Sequence, residues 1–146
     1  MAGYSGTPLV KKIGLKEGDS IVWIDAPASL VSLIGPLPEK TRLSRKVVSG
    51  HDCVHLFTKS ADRLEIELPR IKTVIKESGM IWISWPKKSS GVRTDVTEDV
   101  IRECALRNGL VDVKVCAIDE TWSGLKLVIP VKDRKPKKNK TKRSKS

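Results

Sequence analysis

Short blocks of apolar residues, each closed by a turn signal, divide this chain into alternating strands and helices. Ser20-Ile21-Val22-Trp23-Ile24 is a continuous apolar run, which predicts a strand buried on both faces. Thr7-Pro8 before it reads as a helix start and Gly14 as that helix's stop. Asp25-Ala26-Pro27 closes the strand, and a short helix is expected from Ala28 to Ile34. A weaker strand over Leu43–Val48 carries Arg42, Arg45 and Lys46 and suits an edge. Cys53–Phe57 predicts a third strand. Between Ser60 and Ser78 the stripe Leu64, Leu68, Ile71, Ile75 has helical spacing, with Pro69 expected to kink it or split it in two.

The second half is more sharply written. Met80–Ser84 is an apolar strand, Trp85–Gly91 a polar loop, and Asp95 to Asn108 a helix with Asp95 and Glu98 in capping-box spacing. Gly109 stops that helix. Leu110–Ile118 and Leu125–Val131 follow as strands around an Asp119–Gly124 hairpin loop, so the last strand runs antiparallel. This is the second half of a doubly wound α/β sheet, where ligands bind beyond the carboxyl ends of the strands.

Composition narrows the class. The 146 residues are 39% hydrophobic, which suits one domain burying roughly two-thirds of its unfolded surface. No apolar run approaches the ~20 residues that span a bilayer, and the first residues lack a signal-peptide pattern, so a soluble cytoplasmic protein is expected. Cys53, Cys104 and Cys116 are odd in number, far apart and set in apolar runs, which fits reduced, buried thiols. The net charge of +11 is concentrated: residues 132–146 hold nine Lys/Arg against one Asp, so the rest of the chain is nearly balanced. A domain over residues 1–131 and a disordered basic tail over 132–146 are therefore expected.

The blocks Gly79–Lys88, Thr94–Arg102, Gly109–Ala117 and Asp119–Lys126, with Tyr4–Leu9 and His55-Leu56-Phe57, resemble a family of small bacterial proteins known only as a domain of unknown function. That resemblance covers nearly everything but the tail. It implies a single Rossmann-like three-layer α/β domain, its mostly parallel sheet ending in an antiparallel hairpin, and no established activity. At the level of fold the pattern also resembles the S-adenosylmethionine-dependent methyltransferases. Those enzymes place a glycine-rich turn after the first strand, whereas this chain has Asp25-Ala26-Pro27-Ala28-Ser29, and no Gly-x-Gly-x-x-Gly occurs.

Candidate chemistry gathers at the expected carboxyl edge. The loop from Trp85 to Thr94, with Lys87, Lys88 and Ser89 and a helix N-terminus behind it, offers cations, hydroxyls and amides to a phosphate or carboxylate. Its plain alternative is a solvated connection whose Asp95 caps the next helix. Trp85 and Trp122 are expected on the same edge, either as the apolar wall of a pocket or as anchors for their loops. Ser84 and Asp25 end their strands beside them. His51-Asp52-Cys53-Val54-His55 lacks a fourth ligand for a structural zinc, so His55 is expected to make a buried hydrogen bond. Asp25, His55, Asp95, Asp119 and Glu120 form no acid–base pair of diagnostic spacing, and no nucleophile elbow occurs.

In the tail, Lys135, Lys137, Lys138, Lys140, Lys142 and Arg143 suit weak, salt-sensitive contact with nucleic acid in the ~100–1 μM range, without aromatic residues to read bases. Three readings follow. The first is a non-catalytic module holding a small anionic ligand or a protein partner at the carboxyl edge, with the cofactor unknown. The second is a divergent methyltransferase or other small transferase. The third is a nucleic-acid accessory acting through the tail.

Overall fold

The computed structural model describes residues 8–135. The expected cap at Thr7 and the residues beyond Lys135 lie outside it. Six strands run β1 Ser20–Ile24, β2 Arg42–Ser44, β3 His51–Phe57, β4 Ile75–Pro86, β5 Val111–Ala117 and β6 Trp122–Val128. Four helices accompany them: α1 Leu9–Ile13, α2 Leu30–Ile34, α3 Ala61–Val74 and α4 Glu98–Arg107. The sheet order is β2-β1-β3-β4-β6-β5, parallel through β4, with β6 antiparallel to both neighbours. The mostly parallel Rossmann-like sheet and its terminal antiparallel hairpin are therefore as expected. Among the described residues, no helix is long and apolar enough to cross a membrane.

Two apolar cores sandwich the sheet. On one face, α3 and α4 bury Leu64, Leu68, Ile71, Ile101 and Cys104 against Val22, Val54, Ile81, Ile83 and Leu125. On the other, α1 and α2 bury Ile13, Leu30 and Ile34 against Ile21, Cys53, Phe57 and Trp82. The Trp82 indole Nε1–H donates to the Ile13 carbonyl at 3.0 Å, which ties the end of α1 to the middle of the sheet. Gly14 then caps α1 in the left-handed region at φ 91°, as a C-terminal stop requires.

Several boundaries differ from expectation. Helix α3 neither splits at Pro69 nor continues to Ser78; it is one helix ending at Val74. Ser60 accepts from the Arg63 N–H to start it, and its buried stripe outweighs the one missing backbone donor. Strand β4 begins at Ile75, because the β3 backbone offers pairing: His51 faces Ile75 and Cys53 faces Met80, with Lys76–Gly79 bulging between. Its far end continues to Pro86, and β6 begins at Trp122, so residues placed in loops belong to strands. Helix α4 starts three residues after Asp95, on Thr97, whose hydroxyl accepts from the Val100 N–H at 3.2 Å. Asp95 instead accepts from the Ala61 N–H at 2.8 Å and caps α3.

Candidate functional site

The strand order reverses between β1 and β3, so the topology itself opens a crevice at their carboxyl ends. Asp25 closes β1 with φ 57°, a left-handed backbone that a non-glycine residue adopts only when its surroundings hold it. Here Arg63, from the first turn of α3, pairs with its carboxylate at 3.0 Å across the reversal point. Both side chains are about half exposed, so the pair itself contributes under ~1 kcal/mol. Beside it lies an open cavity of about 440 Å³ between the ends of β1 and β2. Trp23, Pro27, Val31 and Leu43 form its apolar wall, and Ser44 and Arg45 its polar end. Val31 and Leu43 are exposed aliphatic side chains. Arg45 has no carboxylate partner among the described residues.

A second cavity, about 530 Å³, lies behind the loop after β4. Trp85, Lys88, Arg93, Thr94, Thr97 and Glu98 line it, which brings Trp85, Lys88 and Thr94 of the expected loop residues to one cavity. Several of its hydroxyls already have structural work. Thr94 donates to the Lys59 carbonyl at 2.7 Å and accepts from the Val96 N–H at 3.0 Å. Lys88–Ser90 form a single helical turn holding Ser89, and the Lys87 N–H donates to the Thr121 carbonyl at 2.7 Å. The loop is thereby tied to the hairpin that precedes β6.

The two tryptophans do not share a wall; each packs into a different core, the anchoring arrangement of the two expected. Trp85 faces Ser123 in the ladder and is buried against the α3/α4 core. Trp122 faces Pro86, one position along, and so points to the α1/α2 side, edge-on to Phe57 with ring centroids 5.3 Å apart. Asp25 lines the first cavity and none of the loop residues.

Ser84 is fully buried, and its hydroxyl lies 2.7 Å from His55 Nε2. The His55 ring stacks on Phe57 at 4.2 Å, and its Nδ1 is buried without a partner among the described residues. Burial pushes the His55 pKa down to about 3. This is the buried hydrogen bond expected of His55, made to a serine of the neighbouring strand. His51 is held differently: Nδ1 meets the Ser20 hydroxyl at 3.0 Å, and Nε2 accepts from the Val48 N–H at 3.2 Å. Among the described residues, no group of three His, Cys, Asp or Glu side chains is placed to hold a metal.

Taken together, the strand order and the helices on both faces define a Rossmann-like α/β domain. The family model for a protein of unknown function (DUF3052) matches residues 45–131, and the chain belongs to that family. Among solved structures, a SAM-dependent methyltransferase from Aquifex aeolicus aligns at a TM-score of 0.61 and 14% identity over 84% of this chain and 88% of that one. A TehB-like SAM-dependent methyltransferase from Corynebacterium glutamicum gives 0.56 at 12% identity, over 88% and 91%. Aeropyrum pernix fibrillarin with natively bound S-adenosyl-L-methionine gives 0.53 at 17%, over 86% and 70%. At these identities the likeness is one of fold. No curated protein matches the chain by sequence.

That fold raises the question of S-adenosylmethionine, and the turn after β1 answers against the usual glycine-lined seat. Pro27 has no N–H to give, Ala26 and Ala28 present β-carbons, and the Asp25 carboxylate is already bridged to Arg63. In dinucleotide-binding sheets an acidic residue after the second strand holds ribose hydroxyls, and an arginine nearby takes a phosphate. This chain places Arg45 directly after β2. The second strand was expected to run on to Val48 with Arg45 inside it, and the observed strand ends at Ser44.

Proposed function

We propose that the domain is a non-catalytic binding module for a small anionic ligand at the carboxyl edge of its sheet. The ligand's flat apolar part lies against Trp23, Val31 and Leu43, and its phosphate or carboxylate on Arg45. The observation carrying this reading is the 440 Å³ cavity at the ends of β1 and β2, within the usual range for small-molecule sites, with apolar lining and a guanidinium that has no carboxylate partner among the described residues. Three of the candidate acids are otherwise engaged: Asp25 with Arg63, Asp95 on the α3 terminus, and Asp119 on the Thr121 and Trp122 amides. His55 is sealed in the core. The loop cavity is a second seat for the same class of ligand, through Lys88 and Arg93 with Lys87 and Ser89 beside them.

Isothermal titration of the full chain with ATP, AMP, inorganic phosphate and S-adenosylmethionine tests this. Nucleotide binding that Arg45→Ala weakens by ~10–100-fold is the expected result, the usual worth of a hydrogen bond to a charged group. Unchanged affinity in Arg45→Ala, with loss in Lys88→Ala/Arg93→Ala, moves the ligand to the loop cavity. Binding of S-adenosylmethionine in preference to the anions supports the second reading, a divergent methyltransferase, which the fold likeness favours. No heat with any of the four removes the small-ligand reading.

A further inference from the structure

The amino edge of the sheet, opposite the crevice, carries a different surface. A cavity of about 450 Å³ opens there between the end of α1 and the start of the bulged β4, and Lys16, Lys126 and Arg134 converge on it. In the ladder Lys126 pairs with Lys114 on one side and Trp82 on the other, so both lysines stand on the α1/α2 face, beyond the apolar cover that α1 gives to Trp82. Like charges gathered in this way repel, and the fold does little to relieve them. Burial, then Lys114 and Lys16, hold the Lys126 pKa below the usual lysine range. Neither Lys126 nor Lys114 has an ion-pair partner among the described residues.

Two carboxylates line the same cavity. Asp52 is taken up by the Ser20 N–H at 2.8 Å and by Lys76 at 3.0 Å, and Asp19 accepts from the Lys16 backbone N–H at 2.9 Å. The main-chain path adds an independent observation. Arg134 lies on the cavity, its Nε donating to the Ile129 carbonyl at 2.9 Å, and the next residue, Lys135, donates its N–H to Glu77 at 2.8 Å, on the bulge that forms the rim. Lys135 therefore lies beside this basic cavity, and the sequence after it, Pro136–Ser146, contains no acidic residue.

We propose that this amino-edge face of the folded domain binds the phosphate backbone of nucleic acid, through Lys16, Lys114, Lys126 and Arg134. The chemistry selects that partner. A row of cations without aromatic side chains suits phosphates and gives no base readout. An anionic lipid surface would want an apolar anchor as well, and residues 132–146 contain no aliphatic or aromatic side chain. The near-balance of charge in the rest of the chain conceals this face, because many acidic groups sit on the helical side, where Glu65, Glu67, Glu98 and Asp99 pair with arginines.

The test is fluorescence anisotropy of the full chain on a labelled 25-base-pair duplex at several salt concentrations. Lys16→Glu/Lys114→Glu, both exposed positions, is compared with Lys59→Glu/Arg70→Glu, which makes the same charge change elsewhere, and thermal midpoints confirm that both fold. The amino-edge pair should weaken binding at least ~10-fold and reduce the salt slope by about 2, as two lost phosphate contacts require, against a small effect of the control pair. If the amino-edge pair does not fold, Lys16→Gln alone should lower the slope by about 1. Equal effects of the two pairs would assign all binding to the C-terminal segment and overturn the proposal. Absence of duplex binding at 50 mM salt, or binding to phosphatidylserine vesicles alone, would also overturn it.

Discussion

Moving the protein from pH 7 to pH 5 is expected to remove about 2 kcal/mol of folding stability, most of it through one side chain, His55. Buried between Phe57 and Trp82, its ring has a pKa pushed from 6.5 down to about 3, with desolvation as the cause. The unfolded chain takes up a proton near 6.5 while the folded one refuses it, so stability is complete above that pH. It falls as the pH drops from 6.5 towards 3, by about 1.4 kcal/mol per unit. His51 adds to the loss in the same direction. Its pKa is lowered by burial, against the opposing pull of Asp52, and protonation would cost the bond that Nε2 accepts from Val48. The sequence holds only these two histidines, the side-chain type whose ordinary pKa lies between pH 5 and 7. Urea unfolding at pH 7, 6 and 5 measures the effect. His55→Gln keeps a polar group within reach of Ser84 and should flatten the profile, leaving the smaller part due to His51. An undiminished pH dependence in that variant would mean that His55 is not the group that titrates.

The strands buried on both faces were legible because burial writes itself as a continuous apolar run. Ile21, Val22, Val54 and Leu56 show it, and β1 and β3 lie where the pattern placed them. The edge at which a ligand would bind was legible for the same reason, since strand direction follows from topology. What composes that edge was not. Trp85 and Trp122 sit one register position apart in an antiparallel ladder, and that single step sends them to opposite faces. No local pattern encodes such a register. Asp95 has ideal spacing from Glu98, yet the unsatisfied Ala61 amide, 34 residues away in sequence, takes its carboxylate instead. The polar run Lys76-Glu77-Ser78 reads as the end of a helix. It joins a strand because His51 and Lys76's partner Asp52 hold it there. Charge shows the same limit: its balance along the chain was countable, but its separation onto two faces needed the sheet.

Replacing Gly79 by Ala should destabilise the domain by about 2–3 kcal/mol, at the upper end of overpacking costs. A β-carbon there would stand 2.9 Å from the Asp52 carbonyl oxygen, 3.1 Å from that of His51 and 2.9 Å from Ile75 Cγ1. Two of these neighbours are backbone of β3, which cannot retreat: Asp52 is fixed by Ser20 and Lys76, and His51 by Ser20 and Val48. The strain therefore falls on the bulge itself, which forms the rim of the amino-edge cavity and seats Lys76 on Asp52. Gly91→Ala is the matched comparison. Gly91 has φ 79° and nothing within 4 Å of an added β-carbon, so it should lose only ~1 kcal/mol, from the left-handed backbone. For a domain of this size the difference amounts to several degrees in Tm. Calorimetry of the two variants at pH 7, where both histidines are neutral, separates a steric cost from a conformational one. A Gly79→Ala loss no larger than that of Gly91→Ala would show that β4 can shift along β3, and that the bulge is set by something other than this contact.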